Sequence, residues 1–121
     1  MNRDLREPNA PEPGDTICRV DEIGDSGHEV CFGTGRNMFR MFLVRFGSDM
    51  IRAYVNRCPH YSLPLNHQPD RFLTHNGDRI MCRQHLALFA LEDGRCLGGA
   101  CEGVGLTAIP IDVCDGIVVA S

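Results

Sequence analysis

No stretch of this chain has the length and apolarity to cross a bilayer. Its most apolar run, MFRMFLVRF at 38–46, is broken by Arg40 and Arg45 and is far too short. Residues 1–15, MNRDLREPNAPEPGD, lack an apolar core, so no secretory signal is expected and a cytoplasmic location is. The 12 basic residues, all arginine, are scattered rather than clustered, and the formal net charge is −4. That speaks against a nucleic-acid or anionic-membrane surface and suits docking on a positively charged partner. Nucleophile–base pairs, phosphate loops and nucleotide fingerprints are missing, as are internal repeats. No stretch of a dozen residues keeps a 3.6 period without Gly or Pro breaking it, so no helix is expected.

What remains is a succession of short β-like runs in 121 residues, enough chain for one domain with a single core. They fall at 16–20, 28–32, 38–46, 51–57, 71–73, 79–82, 87–91, 95–97, 106–113 and 117–120. The stretch GSD should turn the run at 38–46 into IRAYVNR at 51–57 as a hairpin. There Ile51, Ala53 and Val55 alternate with Arg52, Tyr54 and Asn56, as a half-buried strand would. Pro110 within 106–113 implies an edge strand or a bulge. Asp93–Gly94 and Asp115–Gly116 read as turns. Pro8, Pro11 and Pro13 lie among charged residues in 1–15, which reads as a disordered arm ahead of a domain at 16–121.

Seven cysteines is a high and odd count. In a reducing compartment they are better read as thiols or metal ligands than as a disulfide framework. Two pairs stand out: CPH at 58–60 and CRQH at 82–85, each where an expected strand ends. Taken alone, any of these four residues is more often a buried thiol or an ordinary histidine. Two such pairs together point to metal. Zinc sites commonly have two to four residues between paired ligands, and Cys58 and His60 have only one between them, which is tight for a single ion. A binuclear centre relieves this, because each loop can give its sulfur to one metal atom and its nitrogen to the other.

The pattern C-x-H, a spacer, then C-x-x-H resembles the Rieske [2Fe–2S] signature, in which two His replace two Cys on one iron. The resemblance extends to YVNRCPHYSLPLNHQPDRFL (54–73), IMCRQHLALFALEDGRCLGGACEG (80–103) and LTAIPIDVCDGIVV (106–119), which are similar to Rieske-type ferredoxins and small bacterial Rieske proteins. It implies an all-β fold: an antiparallel β-sandwich base with a cluster-binding subdomain inserted at about 56–102. It also implies a [2Fe–2S] cluster with Cys58 and Cys82 on the inner iron and His60 and His85 on the outer one. Three positions depart from the family pattern. Leu86 follows the second His where Gly is usual, the third flanking loop is GGAC (98–101), and YS follows the first His.

Two ferric ions, two sulfides and two thiolates make a formally neutral centre, easier to reduce than a four-thiolate cluster. High-potential relatives add a disulfide between the ligand loops and hydroxyl donors two and four residues after the second His. Here the ligand loops hold no extra cysteine, and the donor positions are Ala87 and Phe89. A potential at the low end, about −150 mV, is therefore expected. The resemblance implies a one-electron carrier between a flavin-containing reductase and an oxygenase. The chain is too short for the mononuclear-iron domain of a complete oxygenase. Small nitrite-reductase subunits share the fold but commonly lack the ligands.

Tyr61, Leu63, Pro64, Leu65 and Leu86 would form an apolar tip, either packed over the cluster or docking a partner. Cys18, Cys31 and Cys114 are expected to be buried thiols, while Cys96 and Cys101 lie near the third loop and could pair if oxidised. His28, His67 and His75 read as ordinary surface residues. A structural zinc module or a redox-sensing interaction module stands as the alternative.

Overall fold

The computed structural model describes residues 9–47, 50–58, 64–66, 68, 70–83, 87–98 and 105–121. The apolar run at 38–46 becomes β3 (Phe39–Phe46), the middle strand of a sheet with β2 (His28–Phe32) and β4 (Met50–Val55). Both neighbours are antiparallel, with Val30 opposite Met41 and Leu43 opposite Ala53. A strand covered on both faces reads as continuously apolar, and β3 is covered on both.

One face carries Phe39, Met41, Leu43, Ile51, Ala53 and Val55. It packs on a second antiparallel sheet, ordered β1 (Thr16–Arg19), β9 (Ile117–Ala120), β8 (Ile111–Cys114), through Ile17, Cys18, Val118 and Ala120. The opposite face presents Phe42, Val44 and Tyr54 to a third sheet of β5 (Ile80–Met81), β6 (Leu88–Phe89) and β7 (Cys96–Gly98). Phe42 and Phe72 stack there with centroids 4.3 Å apart. The alternation expected for β4 is thus only half met. Tyr54 and Asn56 are buried because a second apolar layer covers their face.

The stretch at 106–113 is not one strand. Val55 N donates to Thr107 O and Ile109 N to Ala53 O, so this part runs beside β4. Pro110, which has no N–H to continue a ladder, marks where the chain crosses to the other sheet as β8. The turn from β8 to β9 holds Asp115 at φ 51 and Gly116 at φ 79, the paired positive values of a two-residue hairpin turn. Of the run at 71–73, only Leu73 bridges a strand residue, Ile80.

Residues 1–8 of the expected arm lie outside the described residues. Residues 9–15 are tied down: Pro11 is fully buried, Gly14 N donates to Ala120 O, and Ala120 N donates to Asp15 O. Pairing with the end of β9 gives this segment backbone partners that its composition did not signal. Among the described residues no helix is long and apolar enough to cross a membrane.

Candidate metal centre

β4 ends at Val55, and Asn56 and Arg57 lead from it to Cys58; β5 ends at Met81, directly before Cys82. Both thiols are buried, at 1% and 0% exposure, and both belong to the core cluster of Leu65, Phe72, Ile80, Ala87 and Phe89. Two loops springing from different sheets thus deliver their cysteines to one apolar region.

The loops are bonded to themselves and to each other. Leu65 N donates to Asn56 Oδ1 at 2.8 Å, closing the segment that carries Cys58. Cys82 N donates to Ala87 O at 2.9 Å, closing the second. Arg83 N donates to Leu65 O at 2.7 Å and joins the two, while Arg83 Nη2 reaches Leu73 O at 3.0 Å.

Behind the first loop lies a polar network that the sequence reading missed. Glu29 Oε2 accepts from Arg40 Nε and from Asn56 Nδ2, each at 2.7 Å. Glu29 Oε1 accepts from Asn66 Nδ2 at 3.3 Å. Asn56 Nδ2 also donates to Asn66 Oδ1 at 3.0 Å, and Asn66 Nδ2 to Gln68 O at 3.0 Å. Glu29 is anchored in turn: its own N–H donates to Asp70 Oδ1 at 2.7 Å, and Asp70 Oδ2 lies 3.2 Å from His28 Nδ1. His28 is therefore half-buried against a carboxylate rather than a plain surface residue. The available signal was Glu29 alone among apolar residues in HEVCF, and an Asn two residues before CPH.

His60 and His85 lie outside the described residues, as do Tyr61, Leu63, His67, Leu86 and Cys101. Of the expected apolar tip, Leu65 is fully buried in the core and Pro64 is half-buried. Ala87 and Phe89 are fully buried and apolar, as their places in the core cluster require. Cys18 is buried, and burial, helped by Glu22, pushes its thiol up to about 11. Cys31 and Cys114, expected inside, are exposed. Each lies on an outer strand of its sheet, β2 and β8. His75 is exposed. Cys96 is disulfide-bonded.

A family model described as Rieske [2Fe-2S] domain matches residues 16–109. The chain belongs to the Rieske [2Fe–2S] domain family. No curated protein matches it closely enough to stand as a relative. Solved structures share its fold. The Sphingomonas yanoikuyae B1 ferredoxin is 18% identical with a TM-score of 0.66, covering 89% of this chain and 97% of its own. The ferredoxin of carbazole 1,9a-dioxygenase from Nocardioides aromaticivorans IC177 is 16% identical with a TM-score of 0.65, covering 91% and 98%. A cyanobacterial plasma membrane Rieske protein from Synechocystis PCC 6803 is 19% identical with a TM-score of 0.61, covering 88% and 97%.

The group implied by a Rieske domain is a Rieske-type [2Fe–2S] cluster. The donor chemistry fits it. Two buried thiols in one apolar cluster, on loops hydrogen-bonded together, would offer such a cluster soft donors in surroundings that exclude water. Among the described residues no three Cys, His, Asp or Glu side chains gather as another metal site.

Proposed function

We propose that the chain is a one-electron carrier whose [2Fe–2S] cluster is held by Cys58 and Cys82 on one iron and by His60 and His85 on the other. The observation that carries this reading is the burial of Cys58 and Cys82 in a single core cluster at the ends of β4 and β5. When bound, the cluster supplies a single-electron couple. The chain's own contribution is to exclude water and fix the ligand loops. Leu65, Phe72, Ile80 and Phe89 form the apolar wall, and the backbone bonds at Leu65 and Arg83 set one loop against the other. With alanine and phenylalanine at 87 and 89, no side-chain hydroxyl at those positions favours the reduced state. This supports a potential near −150 mV.

The electron donor is a flavin-containing reductase and the acceptor an oxygenase. This rests on the fold shared with the ferredoxin of carbazole 1,9a-dioxygenase and on the low potential. The acidic balance of the chain suits a basic patch on the partner. The protein acts in the cytoplasm, as a component of an oxidoreductase system and not as the enzyme that transforms the substrate.

Metal and acid-labile sulfide analysis of anaerobically purified protein tests the ligand assignment. The expected result is iron and sulfide in equal amounts, both lost in Cys58→Ser and Cys82→Ser. Stoichiometric zinc without sulfide would replace this reading with a structural zinc module.

A further inference from the structure

The Glu29 carboxylate is buried to 13% side-chain exposure and, among the described residues, accepts hydrogen bonds from Arg40 Nε, Asn56 Nδ2 and Asn66 Nδ2. A carboxylate is acceptor-only, so it can satisfy all of them together. It also decides which way both amides point. Flipping Asn56 would set Oδ1 against the carboxylate and Nδ2 against the Leu65 N–H, losing both bonds. Flipping Asn66 would lose its bonds to Glu29 and to Gln68 O. Each hydrogen of both amides has an acceptor, and no buried side-chain N or O among the described residues lacks a partner. Networks satisfied to this degree have one arrangement rather than several. Arg40 neutralises the buried charge, and its carbonyl accepts from Asn56 N at 3.0 Å, so β2 and β3 both brace the loop.

We propose that Glu29 is a positioning residue for the metal centre. Its carboxylate orients Asn56 and Asn66 so that Asn56 Oδ1 holds the Leu65 N–H, and this clamp governs how firmly the loop carrying Cys58 retains iron. The inference rests on the cluster assignment above, but the clamp itself can be tested without iron. Glu29→Gln must turn an NH₂ group toward at least one of the three donors. Glu29→Asp keeps an acceptor-only group with a shorter reach.

The experiment compares the full-length wild type, E29Q, E29D and Ile17→Val, a mild core change in β1 on the far side of the central sheet. Iron release to excess chelator and hydrogen exchange of the peptide spanning 64–68 are measured, with the midpoint potential and the electron paramagnetic resonance spectrum as site readouts. E29Q should release iron about tenfold faster and raise exchange at 64–68 by a similar factor, the loss of one charge-assisted bond. Its potential should move while E29D restores most of both rates. Ile17→Val should lower the melting temperature without changing iron release. Should E29Q not fold, Asn66→Ser, which removes one amide and keeps the carboxylate, is expected to change both rates in the same sense by a smaller factor. Wild-type rates and potential in E29Q, or equal iron release in Ile17→Val and E29Q, would overturn the proposal. A wild type that never holds iron would overturn the cluster assignment instead, and exchange at 64–68 would still decide the clamp.

Discussion

The backbone N–H of Arg83 donates to the carbonyl of Leu65 at 2.7 Å, and through that bond the segment after Cys58 and the segment after Cys82 become one unit. The two loops emerge from different sheets, so nothing local holds them together. Leu65 and Cys82 share the same buried cluster, and the buried hydrogen bond fixes the register of one loop on the other. Under the proposed assignment, this frame would hold the cluster's ligands with little rearrangement on electron uptake.

Hydroxyl donors near a cluster stabilise its reduced state, and Ala87 is fully buried at a position where high-potential relatives carry one. Ala87→Ser is therefore expected to raise the midpoint potential. One added hydrogen bond corresponds to roughly 40 mV, taking about 1 kcal/mol per bond and a one-electron couple. Protein-film voltammetry of both forms measures the difference. An unchanged or lower value would mean that position 87 does not face the cluster.

Gly94 stands at φ +75, and a Cβ there would lie 2.8 Å from Tyr54 Cε1 and 3.1 Å from Leu106 Cβ. The Tyr54 hydroxyl donates to Leu91 O at 2.6 Å, so the ring cannot move away without breaking a buried bond. Gly94→Ala should cost at least about 2 kcal/mol, combining positive-φ strain with overpacking. Urea denaturation followed by far-ultraviolet circular dichroism reads this out. A change below the usual surface range of about 0.5 kcal/mol would contradict the packing described.

Burial and the nearby Glu22 raise the Cys18 thiol from 9.0 to about 11. The folded protein therefore holds this proton more tightly than the unfolded chain. The resulting stabilisation is complete below pH 9 and is lost as pH rises through about 11. The urea midpoint should fall across that window in the wild type and fall less steeply in Cys18→Ala. Identical slopes would rule out Cys18 as a contributor.

Much of this fold could be read from the chain because strand periodicity and turn residues are local signals. The hairpin of β3 and β4 and the Asp115–Gly116 turn fall where the residues placed them. Burial of Tyr54 and Asn56 could not be read that way, because a second layer, contributed by residues 72–91, covers a face that looks polar in isolation. Exposure of Cys31 and Cys114 has the same origin: thiols carry no periodicity of their own, and an outer strand shows itself only in the sheet order. The division at Pro110 needed both neighbouring strands to be known. Motif spacing singled out Cys58 and Cys82 as ligand candidates, whereas Glu29 lies 27 residues from Asn56 and 37 from Asn66, too far for any pattern to connect them.

The central claim is a His-ligated [2Fe–2S] cluster carrying one electron. Electron paramagnetic resonance on anaerobically purified protein, before and after dithionite, tests it most directly. The account predicts a silent oxidised sample that gains a rhombic signal of low average g on reduction. A sample silent in both states, with zinc in place of iron, would contradict it.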